Sequence, residues 1–334
     1  MTRSYLVSLV VLLAVLPAVA KKHAAPLQSE GKPVLWSDPG DIHSRNLYWG
    51  VGGEQRQPKT PVEFLREDKH GTNPKFDVRD GDDKKWKAKL GLEAKPETAA
   101  SRLLWAVGYT ANENYFFHQL QVKNMPSKLR RGPRLAGNDG EVSDVRLQRP
   151  PHDYKKGGDW NWRHNPFYGT REFNGLRVMM ALISNWDLKD DNNAVLENEK
   201  DPSPKLYEVT DVGTAFGTSG KSYTNKDSKE NLPAYQRGRL IASVRGDYVD
   251  LKFPKRPPAT ELFELEWLFY FHQVNMRWMG KHIPLADAKW IGSLLSQLTP
   301  EQISDAFRAA GYSQSEINAY TQAVLSRIRE LSAL

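Results

Sequence analysis

The chain has no cysteine. That absence excludes disulfides, thiolate-bound metals, a lipid-bearing cysteine and a cysteine nucleophile. Histidine is scarce too: eight residues, with no His-x-x-x-His or His-Glu-x-x-His pair, so the zinc-hydrolase pattern is missing. There is no Gly-x-Ser-x-Gly for a hydrolase elbow and no Gly-x-x-x-x-Gly-Lys-Ser/Thr loop of the Walker type. Past the N-terminus no stretch is apolar enough to span a membrane. Internal repeats and low-complexity tracts are absent as well.

What is present is a 334-residue chain rich in aromatics, with 10 Trp, 13 Tyr and 12 Phe, enough to build a large core. It carries 47 basic and 40 acidic residues, a net charge of +7, and its pI is near 9.3. A basic balance of this size suits anionic partners without naming one. The basic, Gly/Pro-broken stretch from Val122 to Arg163 reads as a hinge region with long insertions, and Trp160, Trp162 and Phe167 as packing aromatics. No sheet of stacking aromatics is evident there, so there is no strong nucleic-acid signal.

The N-terminus reads as a secretory signal peptide over residues 1–20. Arg3 precedes an apolar run from Tyr5 to Leu16, and Ala18-Val19-Ala20 offers a small-x-small cleavage site before Lys21-Lys22. The expectation is an exported protein, periplasmic or secreted in a bacterial envelope, with no transmembrane span after cleavage. Residues 21–70, rich in Lys, Pro, Gly and Ser, read as an N-terminal arm that wraps the fold, or as linker.

The chemistry concentrates around Asn185–Asn193. A helix-periodic apolar run (Leu176, Met179, Met180, Ile183) enters a polar loop holding Asp187, Lys189 and Asn192. Two β-like pieces follow, and the second ends on Asp211-Val212-Gly213. Phosphoryl transfer needs a carboxylate to orient the attacking hydroxyl, an amide shortly after it, and a second carboxylate at a hairpin end to hold metal.

Upstream, Phe76–Arg79 and Lys85–Leu90 flank an Asp-Gly turn and read as a β-hairpin. Trp86, Ala88 and Leu90 fall on one face. Lys85, Lys87 and Lys89 fall on the other, as on an edge strand. A helix follows, with Pro96 in its first turn, Gly108 at its close, and a buried stripe of Ala100, Leu103, Leu104 and Val107 that Glu97 extends. Further on, Thr214 to Asn231 reads as a mobile loop, and Glu261 to Met279 as a buried aromatic helix whose His272 packs in the core. Capping boxes at Thr299–Gln302 and Ser313–Glu316 start two terminal helices separated by Gly311.

The ordered set of strand lysine, Glu97, Asp187-Leu188-Lys189-x-x-Asn192 and Asp211-x-Gly213 resembles the protein-kinase-like superfamily. The nearest branches are the atypical HipA-type, phosphatidylinositol and secretory-pathway kinases. The resemblance runs from about Lys75 to Phe216 by motif. It implies an α+β bilobal fold with a small β-rich N-lobe and a larger helical C-lobe. The kinase-like domain would cover 71–334, with the N-lobe at about 71–125 and the C-lobe at about 165–334. Also implied is ATP, or another nucleotide, with Mg²⁺ or Mn²⁺ in the cleft. Asp187 matches the catalytic base, Lys189 the lysine that steadies the transferring phosphate, and Asn192 and Asp211 the metal ligands. Lys89, or Lys87 on the same face, would pair with Glu97 to hold the phosphates, and Lys89→Ala would spare the fold.

The sequence departs from the family in three places. Asn185-Trp186 replaces His-Arg, Val212 replaces Phe, and no Gly-x-Gly-x-x-Gly precedes the lysine strand, where only Gly81 occupies a turn. Two functions stay open: a metal-dependent phosphotransferase acting on a protein or small-molecule hydroxyl, and a non-catalytic kinase-like (pseudokinase) binding module of the envelope.

Overall fold

A computed structural model describes residues 31–69, 74–130, 139–201, 203–217, 230–253 and 276–334. The signal peptide expected over 1–20 lies outside the described residues. So do most of the run 214–231 and most of the aromatic stretch 261–279, with His272.

The N-terminal part starts with a short strand, β1 (Pro33–Val34), and then builds a closed five-stranded barrel. Its strands are β2 (Val62–Glu67), β3 (Lys75–Arg79), β4 (Lys85–Leu90), β5 (Glu113–Lys123) and β6 (Glu141–Arg149), in the order β2-β3-β4-β6-β5. The hairpin expected around Asp80-Gly81 is β3–β4, paired from Arg79↔Lys85 to Lys75↔Lys89. Asp80 builds the turn. Its Oδ1 accepts from the Asp82 and Lys84 amides at 3.0 and 2.9 Å, and its Oδ2 accepts from the indole of Trp86 at 2.8 Å. Phe76, Val78, Trp86, Ala88 and Leu90 point into the barrel, where Tyr115, Val122, Val142, Val145 and Leu147 meet them.

Three expectations change here. First, β4 is not an edge strand, because β3 and β6 pair with it on either side. Second, the arm assigned to 21–70 supplies β2, which pairs with β3 and closes the barrel by parallel pairing of Val62↔Val122, so the domain starts before residue 71. Third, the stretch read as a hinge contains β6, whose inward Val142, Val145 and Leu147 fill the barrel. The β-rich lobe therefore extends to Arg149 instead of ending near 125. Ahead of β2 the chain does wrap the fold: Leu35, Ile42 and Leu47 are buried in the second core.

That second, larger core is mostly helical. It includes α1 (Ala94–Ala106) and α2 (Arg171–Leu182), and α1 contributes the expected stripe of Ala100, Leu103 and Leu104, with Val107 just past its end. A four-stranded sheet, in the order β1-β9-β8-β7, combines β1 with β7 (Tyr154–Gly158), β8 (Asn193–Asn198) and β9 (Lys205–Val209). A short helix α3 (Leu232–Arg237) precedes a sheet of β10 (Ile241–Arg245), β11 (Tyr248–Leu251) and β12 (Ile283–Pro284). The chain ends on α4 (Leu285–Leu295), α5 (Pro300–Ala309) and α6 (Gln314–Ser332). Both capping boxes form, at Thr299/Gln302 and Ser313/Glu316. Phe307 and Tyr320 stack at 4.9 Å, with Phe216 against both rings. Trp160 and Trp162 are buried in this core, as packing aromatics. The fold is thus α+β and bilobal, a β-rich barrel beside a larger helical lobe.

Candidate functional site

Lys89 is the second-last residue of β4 and is only 7% exposed. Its Nζ contacts three carboxylates: Glu93 Oε2 at 2.7 Å, Glu97 Oε2 at 2.9 Å and Asp211 Oδ1 at 3.0 Å. Burial alone would lower its pKa. The charges of Asp211, Glu97 and Glu93 outweigh burial and raise it, so Lys89 is held as the cation. Lys87 lies elsewhere. It is 43% exposed and pairs with Asp68 at 2.5 Å and Asp77 at 3.6 Å, so it is not the site lysine. The lysines share a strand face, but α1 and the Asp211 segment cover only the end that carries Lys89.

Local chain geometry sets this arrangement. Gly91 (φ 82°) turns the chain out of β4, and the Ala94 amide donates to its carbonyl at 3.1 Å, starting α1. Glu93 and Glu97 then stand one helical turn apart on one face. Glu97 is fully buried and points inward, as its place in the apolar stripe requires. Burial pushes its pKa up, while Arg146 and Lys89 oppose that shift. Sequence reasoning missed two members of this cluster, Glu93 and Arg146. Arg146 meets the other oxygen of Glu97 at 2.8 Å. The spacing Lys89-x-x-x-Glu93-x-x-x-Glu97 was the available signal for Glu93. Arg146 has none, since only the strand register places it opposite Lys89.

Asp211 arrives from the other lobe on the β8–β9 hairpin, which is paired from Asn193↔Val209 to Glu197↔Lys205. At its base the Asn192 carbonyl accepts from the Thr210 and Asp211 amides at 2.8 and 3.2 Å. Gly213 donates its amide to Asp211 Oδ1 at 3.2 Å. A Cβ at position 213 would stand 2.7 Å from the Glu93 Cβ, so only glycine lets this loop approach α1.

Asp187 lies in the loop after α2. The Asn192 amide group donates to the Asp187 carbonyl at 2.7 Å, and Lys189 Nζ stands 3.4 Å from Asp187 Oδ1. The loops of Asp187 and Asp211 are joined through Thr214, whose hydroxyl bonds the buried Asn185 side chain and lies 3.4 Å from the Asp187 amide. Asn185, which replaces the usual His, thus ties the two loops together. The Asp187 side chain is 22% exposed, and its Oδ1 accepts no hydrogen bond among the described residues. Burial raises its pKa, Lys189 opposes this, and the nearby charge of Asp211 reinforces it. The loop of Asp187, Lys189 and Asn192 is thus tied through Thr214 and the Asn192 carbonyl to the segment of Asp211, whose carboxylate meets Lys89 beside Glu97.

The carboxylate oxygens of Glu93, Glu97 and Asp211 lie within 4.8 Å of one another. The Lys89 ammonium already meets all three, and of them only Asp211 has a partly exposed side chain, which offers oxygen of the kind that suits Mg²⁺ or Mn²⁺. Glu208, three residues before Asp211, is a further buried acid. Burial drives its pKa up to about 8, and its Oε2 has no hydrogen-bond partner among the described residues.

Gly81 does not lie at the cleft; its turn adjoins Lys85, at the opposite end of β4 from Lys89. The β2–β3 connection is the one that reaches Lys89. Lys75 pairs with Lys89, and the Leu90 amide donates to the Pro74 carbonyl at 3.0 Å. Residues 70–73 of that connection lie outside the described residues. Ala215–Ser222 ends in Gly-Lys-Ser, with Ala215 where a Walker loop has its first glycine. Ala215 and Phe216 are buried in the helical core, and 218–222 lie outside the described residues.

No family model and no curated protein matches the chain. Solved structures do. One is a Helicobacter pylori proinflammatory kinase, CtkA, at 10% identity and a TM-score of 0.41, covering 81% of this chain and 94% of that one. Another is the Golgi casein kinase, at 14% identity and 0.30, covering 87% and 78%. The Golgi casein kinase with Mn/ADP bound gives 14% and 0.28, covering 82% and 74%. These likenesses are to kinase folds. The functional reading rests on the site itself.

Proposed function

We propose that this chain is an exported, atypical kinase-like phosphotransferase that uses ATP, or another nucleotide, with Mg²⁺ or Mn²⁺. The observation that carries this reading is Lys89 of the barrel, buried and bridging Glu97 of α1 to Asp211, which follows the β8–β9 hairpin. A lysine in that position orients phosphate oxygens, and a carboxylate beside it holds the bridging metal.

The bound metal–nucleotide complex would supply the phosphoryl group and offset its charge. Asp211 and the Asn192 side chain would hold the metal, and Lys89 would meet a phosphate oxygen. Asp187 takes the proton of the substrate hydroxyl onto its carboxylate, and its raised pKa brings it closer to working pH for that step. Lys189 stands beside Asp187, where it steadies the negative charge of the group in transfer. The acceptor is a protein or a small molecule bearing a hydroxyl.

The test is thermal unfolding with ATP or ADP, with and without Mg²⁺ or Mn²⁺. Wild type is expected to melt higher with nucleotide and metal together, because a ligand that binds only the folded chain stabilises it. Asp211→Asn is expected to lose most of that shift. Absence of any shift in wild type would instead favour the non-catalytic binding module. For export, the expected mature chain begins at or near Lys21, and intact mass of protein from the native envelope checks it.

A further inference from the structure

Lys89 and Arg146 are directly opposite in the antiparallel β4–β6 pair. Side chains so placed have Cβ atoms roughly 5 Å apart, and like charges there repel. Both are nevertheless buried, Arg146 at 2% exposure. The Glu97 carboxylate reconciles them: Oε2 meets Lys89 Nζ at 2.9 Å and Oε1 meets the Arg146 guanidinium at 2.8 Å. Each oxygen has its own cation, so the plane of the carboxylate is fixed.

The two cations carry different obligations. Lys89 divides one ammonium group among Glu93, Glu97 and Asp211. Arg146 has Glu97 as its ion-pair partner among the described residues, and its Nε makes no hydrogen bond there. A phosphate that draws Lys89 away would leave a buried Glu97 unpaired if Lys89 were its sole cation, and a buried charge without a partner is costly. Arg146 removes that cost. Buried at 2% exposure and paired with Glu97, it acts through that carboxylate.

We propose that Arg146 is a positioning residue that pins Glu97, and α1 with it, in the inward orientation before any ligand binds. The functional meaning rests on the nucleotide reading of the cleft, while the pinning is a property of the ligand-free chain. The Lys89–Glu97 pair is then assembled in advance, and no helix swing is needed to complete it.

Hydrogen exchange on the ligand-free full chain tests this. Arg146→Met is expected to speed exchange of the α1 amides by about tenfold or more while leaving α6 unchanged. In a Glu97→Gln background the same substitution should add less than about twofold, because residues acting as one unit are not additive. Arg146→Lys, which keeps the charge but loses the fork, should fall between and carries the comparison if Arg146→Met does not fold. Unchanged α1 exchange in the variants would overturn the proposal. So would acceleration that spreads to α6 or persists undiminished beside Glu97→Gln. A second arm measures ADP with Mn²⁺ by calorimetry, where Arg146→Met should weaken binding about tenfold. If wild type binds no nucleotide while α1 exchange behaves as expected, the proposed function fails and the pinning stands.

Discussion

The two sides of the cleft are built differently. On the barrel side Lys89, Glu93, Glu97 and Arg146 are buried, and every contact of the cluster lies between 2.7 and 3.0 Å. On the helical side Asp187 and Asn192 are partly exposed, Lys189 stands back at 3.4 Å, and an Asp187 oxygen accepts no hydrogen bond among the described residues. The charges on the barrel side are thus closely paired, while on the helical side Asp187 meets its cation only at 3.4 Å. That division fits a site that must hold a ligand tightly yet meet changing charge at one atom.

The largest expected effect breaks the closely paired side. Lys89→Met removes the cation that three carboxylates share and leaves buried charge uncompensated. The expected cost is about 3–5 kcal/mol of stability, read by urea unfolding, and nucleotide-dependent stabilisation should vanish with it. Burial thus overturns the expectation that losing Lys89 spares the fold. Asp187→Asn probes the other side. Transfer should fall by about 10²-fold or more, while the melting shift with nucleotide and metal is retained and stability in urea does not fall, since a carboxylate that burial disfavours has been removed.

Glu208→Gln sharpens the contrast through pH. The folded chain releases the Glu208 proton near pH 8, against a usual value of 4.5. Between those values the folded state holds a proton that the unfolded state has lost, so stability falls as pH rises across that window. Glu208→Gln should flatten this slope, an effect of at most a few kcal/mol between pH 5 and pH 8, read from urea midpoints. The smallest effect is expected at Lys87→Ala. Its half-exposed ion pairs contribute about 0.5 kcal/mol or less, and nucleotide stabilisation should be unchanged.

These contrasts also show what the sequence carried. The β3–β4 hairpin, the inward Glu97, the α2-to-hairpin passage ending on Asp211 and both terminal capping boxes are local patterns, and each was legible. The choice of Lys89 over Lys87 was not, because both share a face and only tertiary cover separates them. β2 and β6 were hidden for a related reason. Barrel closure pairs Val62 with Val122, and no short window of sequence records a partner that distant. Arg146 sat in a basic stretch that resembles solvated surface. Its role comes from a register with β4 across more than fifty intervening residues.

The short strand β1 has a consequence for how the protein is made. Pro33 and Val34 pair in parallel with Lys205 and Leu206, and the Lys205 amide donates to the Lys32 carbonyl at 3.0 Å. The first described strand therefore cannot find its partner until the chain has emerged through residue 206, on the strand that leads directly to Asp211. Closing so long a loop is entropically slow, so this pairing belongs among the late steps of folding. A nascent or prematurely ended chain would carry Lys89 and Glu97 without the aspartate that faces them. Competence for the proposed phosphate chemistry would then arise only after most of the polypeptide has emerged.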